Sequence, residues 1–254
     1  MKKKILLIAG ILLASLTVVY VFAQQYNSER DFDIMAEVTI TGYPGNNTVV
    51  NIPPRIQNMP VTRIGSQAFH RENLSAITIP DSVTHIGVLA FANNNLTSVN
   101  IPNSVIEIAR TAFQHNPISR FTVAPYNENY SSRDNFLLSK DGEELFAYYG
   151  TEKNISIPNG VTAIKSWTFV IWAGDAEGGI GLTGVTITNS VTSIEAMAFF
   201  DYITRITIGA NVILNVGGNS SSSSFELINF DAFYNDNGRR AGTYTLNNGR
   251  WSRN

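Results

Sequence analysis

Apolar positions recur along this chain at a fixed spacing. Val61, Ile64, Ala68-Phe69, Leu74 and Ile79 return 22 residues later as Val83, Ile86, Ala90-Phe91, Leu96 and Ile101. A third copy runs Val105, Ile108, Ala112-Phe113 and Val123. After interruptions the phrase returns as Val161, Ile164, Phe169 and as Val191, Ile194, Ala198-Phe199, Ile208. A unit this short cannot bury its apolar side chains alone, so successive copies must stack into one continuous core. Val83, Ile86, Ala90, Phe91, Leu96, Val99 and Ile101 are therefore expected core. The positions between them change type freely, from Arg63 to His85 to Glu107, as solvent-facing positions do.

Alternating β-branched stretches that end at a breaker predict strands at Val49 to Ile52, Ile77 to Ile79, Val99 to Ile101, Phe121 to Val123, Ile155 to Ile157, Val185 to Ile187 and Ile206 to Ile208. Stacked as one parallel sheet at ~4.8 Å per strand, they make an array on the order of 35 Å long. Pro53, Pro80, Pro102 and Pro158 sit just past strands, where a missing N–H and a fixed φ turn the chain.

Two insertions break the period. In 125–153, Phe136-Leu137-Leu138 and Leu145-Phe146-Ala147-Tyr148 flank Lys140-Asp141-Gly142, which predicts a β-hairpin projecting from one edge. The second, 173–181, is Gly-rich and acidic and reads as a loop, without the spacing or lysine of a phosphate-binding loop. After residue 214, the serines Ser220 to Ser224 form a tether. Beyond it, Phe225 to Tyr234 predicts a short amphipathic helix stopped by Asn235 to Gly238. Thr243 to Leu246 and Arg250 to Ser252 around Asn247-Asn248-Gly249 predict a hairpin. Residues 215–254 thus form a tether and a cap over the open end of the stack.

The phrase L-x-x-I-x-I-P-x-x-V-x-x-I-x-x-x-A-F resembles the Treponema-type, or BspA-like, leucine-rich repeat from about Val38 to Ile213. The lead-in Val38 to Tyr43 with Val49 to Pro53 resembles the entry segment of such domains, and Asn129-Tyr130 to Gly142 their mid-solenoid insertion. The resemblance implies a leucine-rich-repeat solenoid, mostly β, with stacked short parallel strands and irregular or short 3-10/β return segments. The repeats span 61–214 and follow an entry cap at 24–60. The resemblance further implies a cell-surface or secreted protein, associated with adhesion, that has no catalytic residues.

Three lysines, an uncharged apolar run from Ile5 to Phe22 and Ala23 predict a signal peptide over residues 1–23. The rival reading is an uncleaved anchor, since the run reaches the ~18 residues of a spanning helix. Either way the repeats lie outside the cytoplasm, in a secreted, cell-surface or periplasmic protein. Cysteine is absent, which removes disulfides, thiolate metal sites and a lipid acceptor. Without the three signal lysines the chain holds 15 basic against 20 acidic residues, so nucleic acid is not an expected partner. Arg239, Arg240, Arg250 and Arg253 make one locally basic end, either a solvated cap surface or a site for an anionic surface polymer.

Little chemistry is offered. His70 and His115 fall two coils apart, ~10 Å, too far to share a metal ion. Asp175 and Glu177 are two carboxylates where calcium takes six or more oxygens. No serine lies in a nucleophile-elbow pattern. A non-enzymatic protein without cofactor or metal is expected. Asn73 and Asn95, which open Asn-x-Ser/Thr triplets, hold one repeat phase and read as residues bonding the turn backbone.

What remains is surface. Ser75, Thr78, Thr97, Asn100, Arg120, Thr122, Thr186, Arg205 and Thr207 fall between apolar strand positions and must face outward. Stacked in register they make a flat strip that suits an extended protein or glycan, although threonine also fits a half-exposed strand for its own sake. The C-terminal module is most simply a cap; on the alternative reading, as a polymer-binding module, Tyr244 and Trp251 are exposed stacking residues. The leading expectation is an exported, monomeric protein that binds a protein or glycan at the cell surface. An envelope scaffold without a host ligand and a carbohydrate-binding accessory protein are the alternatives.

Overall fold

The computed structural model describes residues 19–22, 37–169, 181–199, 203–216 and 229–254. Most of the expected signal segment, nearly all of the Gly-rich loop and the serine tether lie outside these residues. The chain folds as a leucine-rich-repeat solenoid in which each coil contributes two short strands, one per side.

All seven expected strand sites are strands: Val49–Asn51, Ala76–Thr78, Ser98–Ile101, Arg120–Val123, Asn154–Ser156, Gly184–Thr186 and Arg205–Ile208. Alternation sets their facing, as in Ser98–Ile101, which runs exposed, buried, exposed, buried. They pair in parallel, but as three pieces where one sheet was expected. Val49–Asn51 pairs with Ala76–Thr78, Ser98–Ile101 with Arg120–Val123, and Asn154–Ser156 with Gly184–Thr186 and then Arg205–Ile208. The second divide has a plain cause. Beside Arg120–Val123, Asn135 Oδ1 accepts from Phe121 N at 2.7 Å and Ser132 Oγ from Val123 N at 2.9 Å, so side-chain oxygens stand where a neighbouring strand would.

The Val-Thr-x-Ile phrase forms the other side. Glu37–Ile40, Met59–Ile64, His85–Ile86 and Glu107–Ile108 pair in parallel, and Val19–Phe22 adds antiparallel to the first of them. Past the insertion, Glu144–Tyr148, Ala163–Ile164, Ser193–Glu195 and Ile213–Val216 continue the pattern.

Between the two sides, identical side chains stack coil upon coil. Phe91 is fully buried with its ring 5.1 Å from both Phe69 and Phe113, at interplanar angles of 12° and 7°. Phe169 and Phe199 repeat the arrangement at 4.4 Å. Between the first coils the approach is close enough that a Cβ on Gly87 would lie 2.7 Å from Ser66 N. The turns are tied by buried amides. Asn94 Oδ1 accepts from Glu72 N and Leu74 N at 3.0 and 2.9 Å, while its Nδ2 donates to the carbonyls of Phe69 and Phe91 at 2.7 and 2.8 Å. Asn116 repeats this one coil on, accepting from Leu96 N and donating to Phe91 and Phe113. The turn-bonding role expected of Asn73 and Asn95 thus falls one residue earlier in the repeat. Asn73 and Asn95 are themselves exposed.

The hairpin insertion does not project. Tyr130–Arg133, Phe136–Ser139 and Glu144–Tyr148 form an antiparallel meander whose last strand joins Ala163–Ile164 in parallel. Phe136, Leu137, Leu138, Leu145 and Ala147 are buried. Leu137, Ala147 and Tyr149 complete the core of the first coils, whereas Phe136, Leu138 and Leu145 complete that of the later ones. The meander is therefore a layer of the stack. Asn127 opens it, standing where the repeat would place a valine after Val105. It is fully buried, donating to the Pro102 and Val105 carbonyls and accepting from Asn129 N and Tyr130 N at 2.8 to 2.9 Å.

At the far end, Gly242–Asn247 pairs antiparallel with Arg205–Ile208 and turns into Arg250–Arg253. The turn uses Asn248 and Gly249 with φ of 49° and 74°, the left-handed pair a two-residue hairpin requires. The helix Phe230–Asp236 seals the core. Its Tyr234 hydroxyl donates to the Gly209 carbonyl and accepts from Val212 N.

Phe91→Ala should cost about 3 to 5 kcal/mol, because the ring is buried between two others, whereas Thr78→Ala should leave the melting temperature nearly unchanged. Asn94→Leu leaves two backbone N–H groups without an acceptor and should cost about 3 kcal/mol or more in chemical denaturation.

Candidate binding surface

The Ile-x-Ile side carries the expected outward strip. Ser75, Thr78, Thr97, Asn100, Arg120, Thr186 and Arg205 are exposed, and Thr122 and Thr207 half-buried. Register brings some of them together and not others. Thr122 stands opposite Asn100, with Oγ1 donating to Asn100 Oδ1 at 3.0 Å, and Arg120 stands opposite Ser98. Thr186 stands opposite Thr207, and Arg205 opposite Gly184. Thr78 belongs to the separate first pair of strands, beside Asn51. The cap extends the strip beyond its expected end, because Arg205 is followed across the sheet by Thr245 and Ser252, and Thr207 by Thr243.

Several hydroxyls on and beside this strip have a structural partner. Ser75 Oγ donates to the Thr48 carbonyl and Ser119 Oγ to that of Thr97, both at 3.2 Å. Thr204 Oγ1 donates to the Thr183 carbonyl at 3.2 Å, and Ser252 Oγ to that of Thr245 at 3.4 Å. Each bond ties one chain segment to its neighbour in the stack.

The cap aromatics are arranged differently from the exposed pair of the polymer-binding reading. Tyr244 is fully buried, with its ring 5.3 Å from Phe230 and 6.0 Å from Tyr234, and its hydroxyl donates to the Arg240 carbonyl. It stands opposite Ile206, on the inward face of its strand, so it cannot stack on a ligand. Burial raises its pKa, against the opposing pull of Arg253 and Arg240. Trp251 is half-buried, edge-on to Phe230 at 4.9 Å. Both residues cap the core.

The opposite side is electrostatically distinct. Glu37, Glu107, Glu144 and Glu195 all lie on its strands. Lys165 Nζ lies 2.6 Å from Glu195 Oε1 and 3.4 Å from Glu144 Oε1, while Glu195 Oε2 accepts from Ser166 N and Ser166 Oγ. The hydrogen bond that Lys165 donates to Glu195 raises the Lys165 pKa. Burial alone would raise that of Glu195, but the bonds from Lys165 and Ser166 outweigh it and hold the carboxyl low. Arg110 spans the meander, donating to the Ser166 carbonyl, while its own carbonyl accepts from the Tyr149 hydroxyl at 3.0 Å. This network braces the two halves of the stack. No repeat period announces it, since Arg110 and Ser166 lie 56 residues apart.

His70 Nε2 meets Asn93 Nδ2 at 2.9 Å, and His85 Nε2 lies 3.5 Å from Glu107 Oε2. Among the described residues no group of three or more histidine, aspartate or glutamate side chains could hold a metal ion, and no helix is long and apolar enough to cross a membrane. Asp175 and Glu177 lie outside those residues.

A family model described as BspA type leucine rich repeat region matches residues 58–170 and 177–245 in six copies. No curated protein matches the chain. Similar solved structures include a leucine-rich repeat protein from Eubacterium ventriosum at 23% identity, with TM-score 0.46, covering 60% of this chain and 41% of that one. The pneumococcal vaccine antigen PcpA is similar at 14% identity and TM-score 0.41, covering 78% of this chain and 70% of that one. A leucine rich cell surface protein from Faecalibacterium prausnitzii is similar at 20% identity and TM-score 0.35, covering 67% and 73%. The chain thus spans less than half the length of the first of these.

The Lys165 and Glu195 shifts fix a pH window. A carboxyl held below its ordinary value near 4.5 adds stability that is full above that value and is lost as pH falls through the lower, folded one. A lysine held above 10.5 adds stability that is full below 10.5 and is lost only at higher pH. Thermal melts of the wild type should therefore fall more steeply on acidification below about pH 4.5 than those of Glu195→Gln. Parallel acid limbs would show that the pair contributes nothing.

Proposed function

Because the chain belongs to the BspA type leucine-rich repeat family, we propose that it is an exported, non-enzymatic protein that binds another macromolecule at the cell surface through its Ile-x-Ile side. The observation that carries this reading is the division of labour across each strand. Apolar side chains point inward and hold the coils, while short polar side chains and Arg120 and Arg205 point outward in register over neighbouring coils. Such a surface is already ordered before a partner arrives, so little side-chain entropy is lost on binding. Repeat arrays present extended surfaces of this kind. Residues 1–23 direct export in this reading, and adhesion is the role the surface would serve.

Solution binding of residues 24–254 to a panel of extracellular matrix proteins and surface glycans tests the proposal. Saturable binding is expected, weakened about tenfold or more by Arg120→Glu/Arg205→Glu without a change in melting temperature. Absence of binding across the panel would turn the reading toward an envelope scaffold. Saturable turnover of a hydrolase substrate would contradict the non-enzymatic part.

A further inference from the structure

Charge is divided between the two sides of the stack in a way that selects a partner. All four glutamates carried by described strands of the solenoid lie on the Val-Thr-x-Ile side. The Ile-x-Ile strands and the cap strands that extend them contain no carboxylate, but they do carry Arg120, Arg205, Arg250 and Arg253. The whole chain is nonetheless net acidic, at −2. One side of an acidic protein is thus free of strand carboxylates among the described residues, and an anion approaching Arg205 and Arg250 there meets hydroxyls, amides and guanidinium groups.

Two of the arginines converge. Arg205 is followed across the sheet by Thr245 and then Ser252, and Arg250 shares the outward face with Ser252 by alternation. Two strand spacings of ~4.8 Å and one alternation step of ~6.8 Å separate the two backbones, so both guanidinium groups reach one ligand the size of a short oligosaccharide. Both residues are exposed.

The hydroxyls around them narrow the ligand class. The donor protons of Ser75, Ser119, Thr204 and Ser252 point at backbone carbonyls, and that of Thr122 at the Val99 carbonyl and Asn100 Oδ1. Thr207 and Thr243 share one hydrogen bond at 2.9 Å, and Thr245 Oγ1 accepts from Asn254 Nδ2 at 3.0 Å. To a ligand this face offers hydroxyl oxygens that accept, hydroxyl and amide groups such as those of Thr245 and Asn100 that also donate, and cationic donors. A partner whose hydroxyls both donate and accept and that carries scattered negative charge matches it. Acidic peptide side chains bring only acceptors and leave the hydroxyl oxygens unmatched, whereas sugar hydroxyls match them.

We propose that the carboxylate-free side of the solenoid, centred on Arg205 and Arg250, binds an anionic polysaccharide, its sugar hydroxyls donating to the threonine and serine oxygens and its carboxylate or sulfate groups pairing with the two arginines. The inference rests on the strand-face reading above and names its ligand class. Charge-assisted pairs of this kind supply specificity and a salt-dependent on-rate.

The test is surface plasmon resonance of residues 24–254 over immobilised polygalacturonate, chondroitin sulfate, poly-glutamate and neutral dextran, at two salt concentrations. Saturable binding to polygalacturonate or chondroitin sulfate is expected, weaker at the higher salt, and the stronger of the two identifies the carboxylate or the sulfate as the favoured anion. Arg205→Gln/Arg250→Gln should weaken it roughly tenfold with an unchanged melting temperature, whereas Arg63→Gln on the opposite side should not. Equal binding to poly-glutamate overturns the inference in favour of an acidic protein. Undiminished binding by the double variant places the site elsewhere and overturns it as well. Binding to matrix proteins but to neither polysaccharide removes this ligand class and leaves the strand-face reading standing.

Discussion

Each coil of this chain must finish as a surface on which the next can be laid, and that constraint governs the rest of the molecule. Three kinds of contact meet it. Rings stack face to face through Phe69, Phe91 and Phe113. Buried amides of Asn94 and Asn116 bond the turn backbones of two coils at once. Hydroxyls on both sides donate to the carbonyl one coil back, as Thr84 does to Thr62 and Thr192 to Thr162. The dispersion and apolar burial are large in sum, while the hydrogen bonds are small individually and set the spacing. Cysteine plays no part, so the stack is held by burial and by these bonds.

What the sequence reveals follows from the same constraint. A β-branched stretch ending at a breaker alternates over enough residues to be recognised as a strand, and all seven such sites are strands. His85–Ile86 and Glu107–Ile108 are strands of only two residues, too short for alternation to register. Asn94 was hidden for another reason: a polar residue in a turn reads as exposed until its backbone partners are seen. The meander's tight turn at Asp134-Asn135, with φ of 49° and 65°, contains no glycine to advertise it. Tyr244, by contrast, was open to a stricter reading. In Thr243-Tyr244-Thr245-Leu246 the alternation itself turns Tyr244 and Leu246 inward. The outward strip was visible as a set of residues. Its extension across the cap depends on antiparallel pairing that no repeat period encodes.

The partition of charge is the feature that the repeat pattern explains least. Packing asks only that outward positions be tolerant, and both sides satisfy that. Yet among the described strands glutamate occupies outward positions on one side alone, where Glu144 and Glu195 hold Lys165 and brace the two halves of the stack. Acidic groups are thus placed where they have structural partners, and the other side is left to hydroxyls and arginines. The two sides behave as different surfaces although one repeat generates both.

The meander gives this molecule a mechanical character. Because Leu137, Ala147 and Tyr149 pack into one core and Phe136, Leu138 and Leu145 into the other, a pull between the two ends loads two cores in series, with one layer of strands as the coupling. The half with the lower unfolding barrier gives way first and lengthens the chain. The force on the other half then drops, and its coils keep their register.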